Sequence, residues 1–189
     1  MSFKTVRRVA LLGALAISTA SCAGDPVTTS PSGQSLFTPQ FGGNWNGTAV
    51  LSNVGPVVNG ECVGPALQAQ IGTSAGTENV TLAVTQDSDA ITARLASATS
   101  GLACTYKGTT AQNTLALDAA SCDAPMLIIR CGPSGPVRQM LVIGSTVQGT
   151  VSGGRVSGTL SNAYNVFDEK GEVAVTRVTL NYQFNAAKP

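Results

Sequence analysis

The sequence predicts an all-β fold: an antiparallel up-and-down meander of about eight to ten strands, closed or nearly closed into a β-barrel. Three observations carry this. Apolar residues recur at every second position through much of the chain after residue 41, which is the period of a half-buried strand. Turn signals fall between those runs, so successive strands join as hairpins. No stretch of about ten residues or more carries an apolar stripe at the helical period. A β-sandwich uses the same alternation and stays open as the alternative.

The elements follow in chain order. Val80, Leu82 and Val84 alternate with Thr81, Ala83 and Thr85, and Ile91, Ala93 and Leu95 with Thr92, Arg94 and Ala96. A two-residue loop at Asp87-Ser88 pairs Val84 with Ile91, Leu82 with Ala93 and Val80 with Leu95, which keeps both apolar sets on one face. Leu102–Thr109, Asn113–Asp118, Met126–Cys131 and Arg138–Ser145 are the next strands. Met126-Leu127-Ile128-Ile129 and Met140-Leu141-Val142-Ile143 are apolar throughout, as expected of strands that are central or covered by a loop.

The last third gives the clearest register. Ser152-Gly153-Gly154-Arg155 signals a two-residue turn, because paired glycines accept positive φ. It sets Val151 opposite Val156, Gly149 opposite Gly158 and Val147 opposite Leu160. A three-residue loop at Glu169-Lys170-Gly171 then pairs Val166 with Ala174, Asn162 with Val178, Leu160 with Leu180, Gly158 with Tyr182 and Val156 with Phe184. Gly149 and Gly158 either bend strands in a closing barrel or leave room inside it for a ligand. In the second case Val156, Leu160, Tyr182 and Phe184 form the cavity wall beside the two glycines.

The N-terminal residues address the chain. Lys4, Arg7 and Arg8 precede the apolar run Val9–Ile17, followed by Ser18-Thr19-Ala20-Ser21-Cys22-Ala23. This is the order of a secretory signal. With cysteine at the cut it resembles a bacterial lipoprotein signal, with Thr19-Ala20-Ser21-Cys22 as the lipobox. The resemblance implies a signal peptide over residues 1–21, export, cleavage before Cys22 and a lipid anchor on that cysteine. Ala23 after the cysteine implies the outer membrane in a Gram-negative cell. An ordinary signal peptide cut after Ala20 or Ala23 is the alternative. Residues 22–40 are rich in Pro, Ser, Thr and Gly and form a flexible tether. A single barrel domain spans 41–189.

Five cysteines are an odd number for an exported chain. Giving Cys22 to lipid leaves Cys62, Cys104, Cys122 and Cys131, which make two disulfides in an oxidising compartment. Three pairings are open. A zinc site would have to use four irregularly spaced cysteines without histidine, and no metal or cofactor is expected.

Composition narrows the function. Loss of Lys4, Arg7 and Arg8 takes the formal net charge from +1 to −2, and no basic patch for nucleic acid is present. The absence of histidine removes Ser-His-Asp and Cys-His nucleophiles. The carboxylates fall mostly at turns and strand ends, so no enzymatic activity is expected. Two roles remain: binding of a small apolar or amphipathic ligand, or contact with another envelope protein through outward side chains and the loops Asn53–Gly60 and Gly132–Pro136. Aromatic residues make up only 5% of the chain, a thin supply for an aromatic-lined pocket.

Phe41-Gly42-Gly43-Asn44-Trp45-Asn46-Gly47-Thr48 opens the first strand. Gly43-x-Trp45 at the start of a β-meander resembles the calycin superfamily of lipocalins, avidins and related bacterial domains. That resemblance implies an up-and-down barrel of about eight strands with an apolar ligand in its mouth. It implies Trp45 as a plug and a further wall residue, with an arginine of the last strand packed across it. Arg177 is the matching arginine, and reaches inward only through a bulge, because its face is opposite to that of Leu180 and Tyr182.

Overall fold

The computed structural model describes residues 40–56, 61–124 and 126–189. The signal peptide, Cys22 and nearly all of the tether lie outside the described residues. Nine strands form one antiparallel sheet: β1 (Gly43–Gly55), β2 (Thr77–Asp87), β3 (Ala90–Ser97), β4 (Ala103–Ala111), β5 (Thr114–Asp123), β6 (Leu127–Arg130), β7 (Val137–Ser152), β8 (Arg155–Phe167) and β9 (Ala174–Ala187). The order is β5-β4-β3-β2-β1-β9-β8-β7-β6, and β5 also pairs with β7. That last pairing closes eight strands into a barrel and leaves β6 as an extra strand beside β7. Alternating side chains fill the interior: Leu82, Leu95, Leu117, Val147, Val156, Leu160 and Phe184 are all buried, as expected of a barrel this narrow.

The β7–β8 hairpin has the expected register, with Val147 opposite Leu160, Gly149 opposite Gly158 and Val151 opposite Val156. Gly153 and Gly154 supply the positive φ. Two other hairpins slip by two residues from the expected pairing. In β2–β3, Val84 faces Ala93 and Leu82 faces Leu95, because the turn sits at Ser88-Asp89, with Ser88 itself in the left-handed region at φ 57°. In β8–β9, Leu160 faces Tyr182 and Gly158 faces Phe184. There the loop is longer: Asp168 accepts from the Glu172 backbone N–H at 2.9 Å, and a bulge at Val166/Phe167 adds a residue. A two-residue slip keeps every side chain on its face, so the inward set survives both corrections.

Of the two apolar runs, Met140–Ile143 lies on the inner strand β7, between β8 and β6 or β5, whereas Met126–Ile129 leads into the edge strand β6, and the outward side chains of both are uncovered. Met126, Ile128, Leu141 and Ile143 are exposed, Ile128 to 70%. β5 leaves β7 after Asp118, and β6 takes up the pairing from Leu127, so the wall is open between them.

The long β1–β2 connection contains a helix of six residues, α1 (Val63–Gln68), and a short 3₁₀ turn, Ser74–Gly76. Pro65 stands in the first turn of α1, where its missing N–H costs no hydrogen bond. Val63 and Leu67, one turn apart, are buried against the barrel. The cap is fastened at its entry twice. Cys62 is bonded to Cys131, and Glu61 takes two hydrogen bonds from Arg138 at 3.1 and 3.3 Å. The second disulfide, Cys104–Cys122, joins β4 to the facing position of β5.

Candidate functional site

The two ends of the barrel differ. At one end the strands turn tightly at Ser88-Asp89, Gln112-Asn113 and Gly153-Gly154. Trp45 fills this end, 1% exposed. Its indole N–H donates to the Phe41 carbonyl at 2.8 Å, and the Lys188 ammonium lies 4.8 Å from the ring centroid. Arg177 does not reach Trp45. It is exposed, near the other end of β9, with its Nε donating to Asn165 Oδ1 at 3.5 Å. The position past the strand end, not an inward arginine within it, puts a cation over the ring.

At the opposite end, a cavity of about 230 Å³ opens beneath the cap. Leu51, Met140, Leu180 and Tyr182 line its barrel side, with Leu67 and Ala75 from the cap. Glu78 also lines it, and its sequence position explains why. β2 points Val80, Leu82 and Val84 inward, and Glu78 is the next residue in that alternation. Ser100 donates to Glu78 Oε2 at 3.0 Å. Ser97 holds Ser100 in place, because its side-chain oxygen accepts from the Thr99 and Ser100 backbone N–H groups at 3.2 Å.

A buried polar chain runs through the interior. The Tyr106 hydroxyl and Ser145 Oγ are 2.7 Å apart, and Ser145 donates to Asn162 Oδ1 at 2.6 Å. Since the serine has one proton, Tyr106 is the donor to Ser145. Asn162 is fully buried, and its Nδ2 has no hydrogen-bond partner among the described residues. All three tyrosines of the chain are buried here: Tyr106, Tyr164 and Tyr182. Burial pushes each phenol above its ordinary value, and the charge of Glu78 adds to this for Tyr164 and Tyr182. The Asn162 amide acts in the opposite direction on Tyr164, although its Nδ2 is not in bonding geometry. The phenols are therefore neutral donors at pH 7.

A larger hollow, about 560 Å³, lies on the outer wall across β5, β7, β8 and β9. Its exposed rim, including Gln148, Thr150, Ser157, Gln183 and Asn185, is uncharged. Here β7 and β8 come close. A Cβ on Gly158 would collide with the Gln148 carbonyl oxygen, and one on Gly149 would lie 3.4 Å from the Phe184 ring. The facing glycines thus serve strand approach and an aromatic neighbour, which is Phe184 and not the expected Tyr182.

Of the wall residues named from the sequence, only Tyr182 lines the capped cavity. Gly149, Gly158 and Phe184 line the outer hollow. Val156 and Leu160 are packed in the core, and Trp45 closes the far end. Glu78, Ser100 and the polar chain were not among the sequence candidates. The signal for Glu78 was present, since a carboxylate occupies an inward register position.

These features define an eight-stranded antiparallel barrel, plugged at one end and carrying a capped cavity at the other. Comparison with family models, curated proteins and solved structures finds no match.

Proposed function

We propose that the chain is a non-enzymatic, envelope-anchored lipoprotein whose barrel binds a small apolar or amphipathic ligand at its capped end. The observation that carries this reading is the cavity beneath α1, which sets apolar walls beside a few polar groups, the usual make-up of a ligand site. At about 230 Å³ it falls below the roughly 300–1,000 Å³ of drug-sized pockets, so the ligand is small. The two disulfides favour an oxidising compartment, as the signal at Lys4–Cys22 requires. The Trp45 plug with Lys188 across it favours the calycin-like reading. The outer membrane is the proposed location if the cell has one.

A second reading, an interaction lipoprotein without a small ligand, is favoured by the exposed Met126, Ile128, Leu141 and Ile143 on β6–β7 and by the filled barrel interior. Native mass spectrometry of protein extracted gently from its own membranes separates the two. The expected species begins at acylated Cys22 and carries one further discrete mass that leaves on denaturation. A bare lipoprotein would favour the second reading, and a chain beginning at Ser21 would remove the anchor.

A further inference from the structure

We infer that the ligand of the capped cavity carries a positively charged nitrogen next to a short apolar group, with Glu78 as its counter-charge. The inference rests on the mouth-binding reading proposed above and names the ligand's chemistry.

Glu78 lies where β2 would otherwise place another core residue. Its carboxylate can accept about four hydrogen bonds; Ser100 donates one and the Tyr182 hydroxyl lies within reach of another, which leaves acceptor capacity towards the cavity. Among the described residues no lysine or arginine pairs with it. The ion pairs there are Arg94–Asp123 and Arg138–Glu61. Glu78 is half-buried and shares its cavity with Leu51, Met140 and Leu180, so its charge faces apolar walls with no cation beside it among the described residues. An ammonium group supplies the missing partner. Tyr182 adds a ring within the same cavity, and aromatic faces attract cations. The charge of Glu78 is felt at both Tyr164 and Tyr182, so it acts across the interior. An anionic ligand would meet the same carboxylate with repulsion.

The test uses full-length protein in a non-ionic detergent and three probes of one shape: n-pentylammonium, n-pentanol and pentanoate. Binding is followed by calorimetric titration. Pentylammonium should bind at least about tenfold tighter than pentanol, the scale of a hydrogen bond to a charged group, and pentanoate weakest. Glu78→Gln should erase the preference for ammonium while leaving pentanol binding in place. Equal binding of all three probes to the unaltered protein would overturn the cation assignment and leave the mouth-binding reading standing. A preference that survives Glu78→Gln would overturn the role of Glu78. No binding of any probe would overturn both readings. The probe series on the unaltered protein decides the charge preference even if the variant does not fold.

Discussion

Removing the bridge that fastens the cap tests whether the cavity is a fixed part of the fold. Cys62 and Cys131 are 69 residues apart in sequence, and Cys104 and Cys122 are 18 apart. In the chain-entropy treatment those loops restrict the denatured state by about 4 and about 3 kcal/mol. Cys62→Ser with Cys131→Ser should therefore cost more than Cys104→Ala with Cys122→Ala, provided that the cap stays closed without its bridge. The contacts argue that it does. Val63 and Leu67 are 1% and 4% exposed, and such burial contributes about 1.5–3 kcal/mol each. The Gly72 N–H still donates to the Leu51 carbonyl at 3.1 Å, and the Glu61–Arg138 pair remains. The assay is urea unfolding followed by Trp45 fluorescence, which reports the plugged end, beside hydrogen exchange over residues 61–76. A larger loss for the inner bridge would refute the reasoning. The cap would then have to be open by roughly tenfold over closed once its bridge is gone, since that ratio is worth about 1.4 kcal/mol.

Two further predictions concern the barrel wall and its interior. Gly158→Ala drives a Cβ into the Gln148 carbonyl, whereas one on Gly144 meets nothing within 4 Å. The first should cost about 2–3 kcal/mol or more and the second stay within about 1 kcal/mol of neutral, by thermal unfolding; the reverse order would remove the close-approach reading of the glycine pair. The three buried tyrosines have folded-state pKa values above the 10.0 of a free phenol, so the folded state holds its protons more tightly. Stability is then full below pH 10 and falls as pH rises through the folded values, by up to about 1.4 kcal/mol per pH unit for each tyrosine. Denaturant unfolding at a series of alkaline pH values, with phenolate absorbance of the folded protein, checks this; ordinary titration of all three phenols in the folded state would contradict it.

Alternation made the barrel legible, and its blindness explains the errors. A period of two fixes which face a residue takes but is unchanged by a slip of two. The β7–β8 register was readable because Gly153 and Gly154 allow one turn position. At Gln86–Asp89 several turns were chemically reasonable, and Ser88 in the left-handed region decided between them. The capping role of Asp168 lay within six loop residues with no apolar pattern. α1 escaped notice because six residues are too few for the helical period to register. The disulfide pairing was hidden because β5 runs on past Asp118 to carry Cys122 opposite Cys104 in the β4–β5 hairpin, while Cys62 and Cys131 lie outside the strands, at the start of α1 and just after β6. Arg177 failed as the partner of Trp45 chiefly by position: the β1–β9 register sets Asn46 beside Ala187 and Gly55 beside Thr179, so Arg177 lies at the far end of β9, and its parity turns it outward as well.

The chemistry of the site follows from how the connections are distributed. Two-residue turns at one end need little more than residues that accept positive φ, and Ser88, Gln112, Gly153 and Gly154 provide it. That end can be sealed by one large side chain, and Trp45 seals it. Every long connection among the described residues then falls at the other end: the cap, residues 98–102, the passage around β6 and the loop 168–173. Loops of that length can carry recognition groups without disturbing the barrel. Ser100 does this from one of them by donating to the Glu78 carboxylate. Ile71, Met126, Ile128, Leu141, Ile143 and Val173, the exposed large apolar residues, lie towards this same end. Apolar rim, capped cavity and a carboxylate with no cation beside it among the described residues therefore share one end of the barrel. A ligand with an apolar part and a cationic part could use all three, whereas a purely apolar one would give the Glu78 charge no counter-charge.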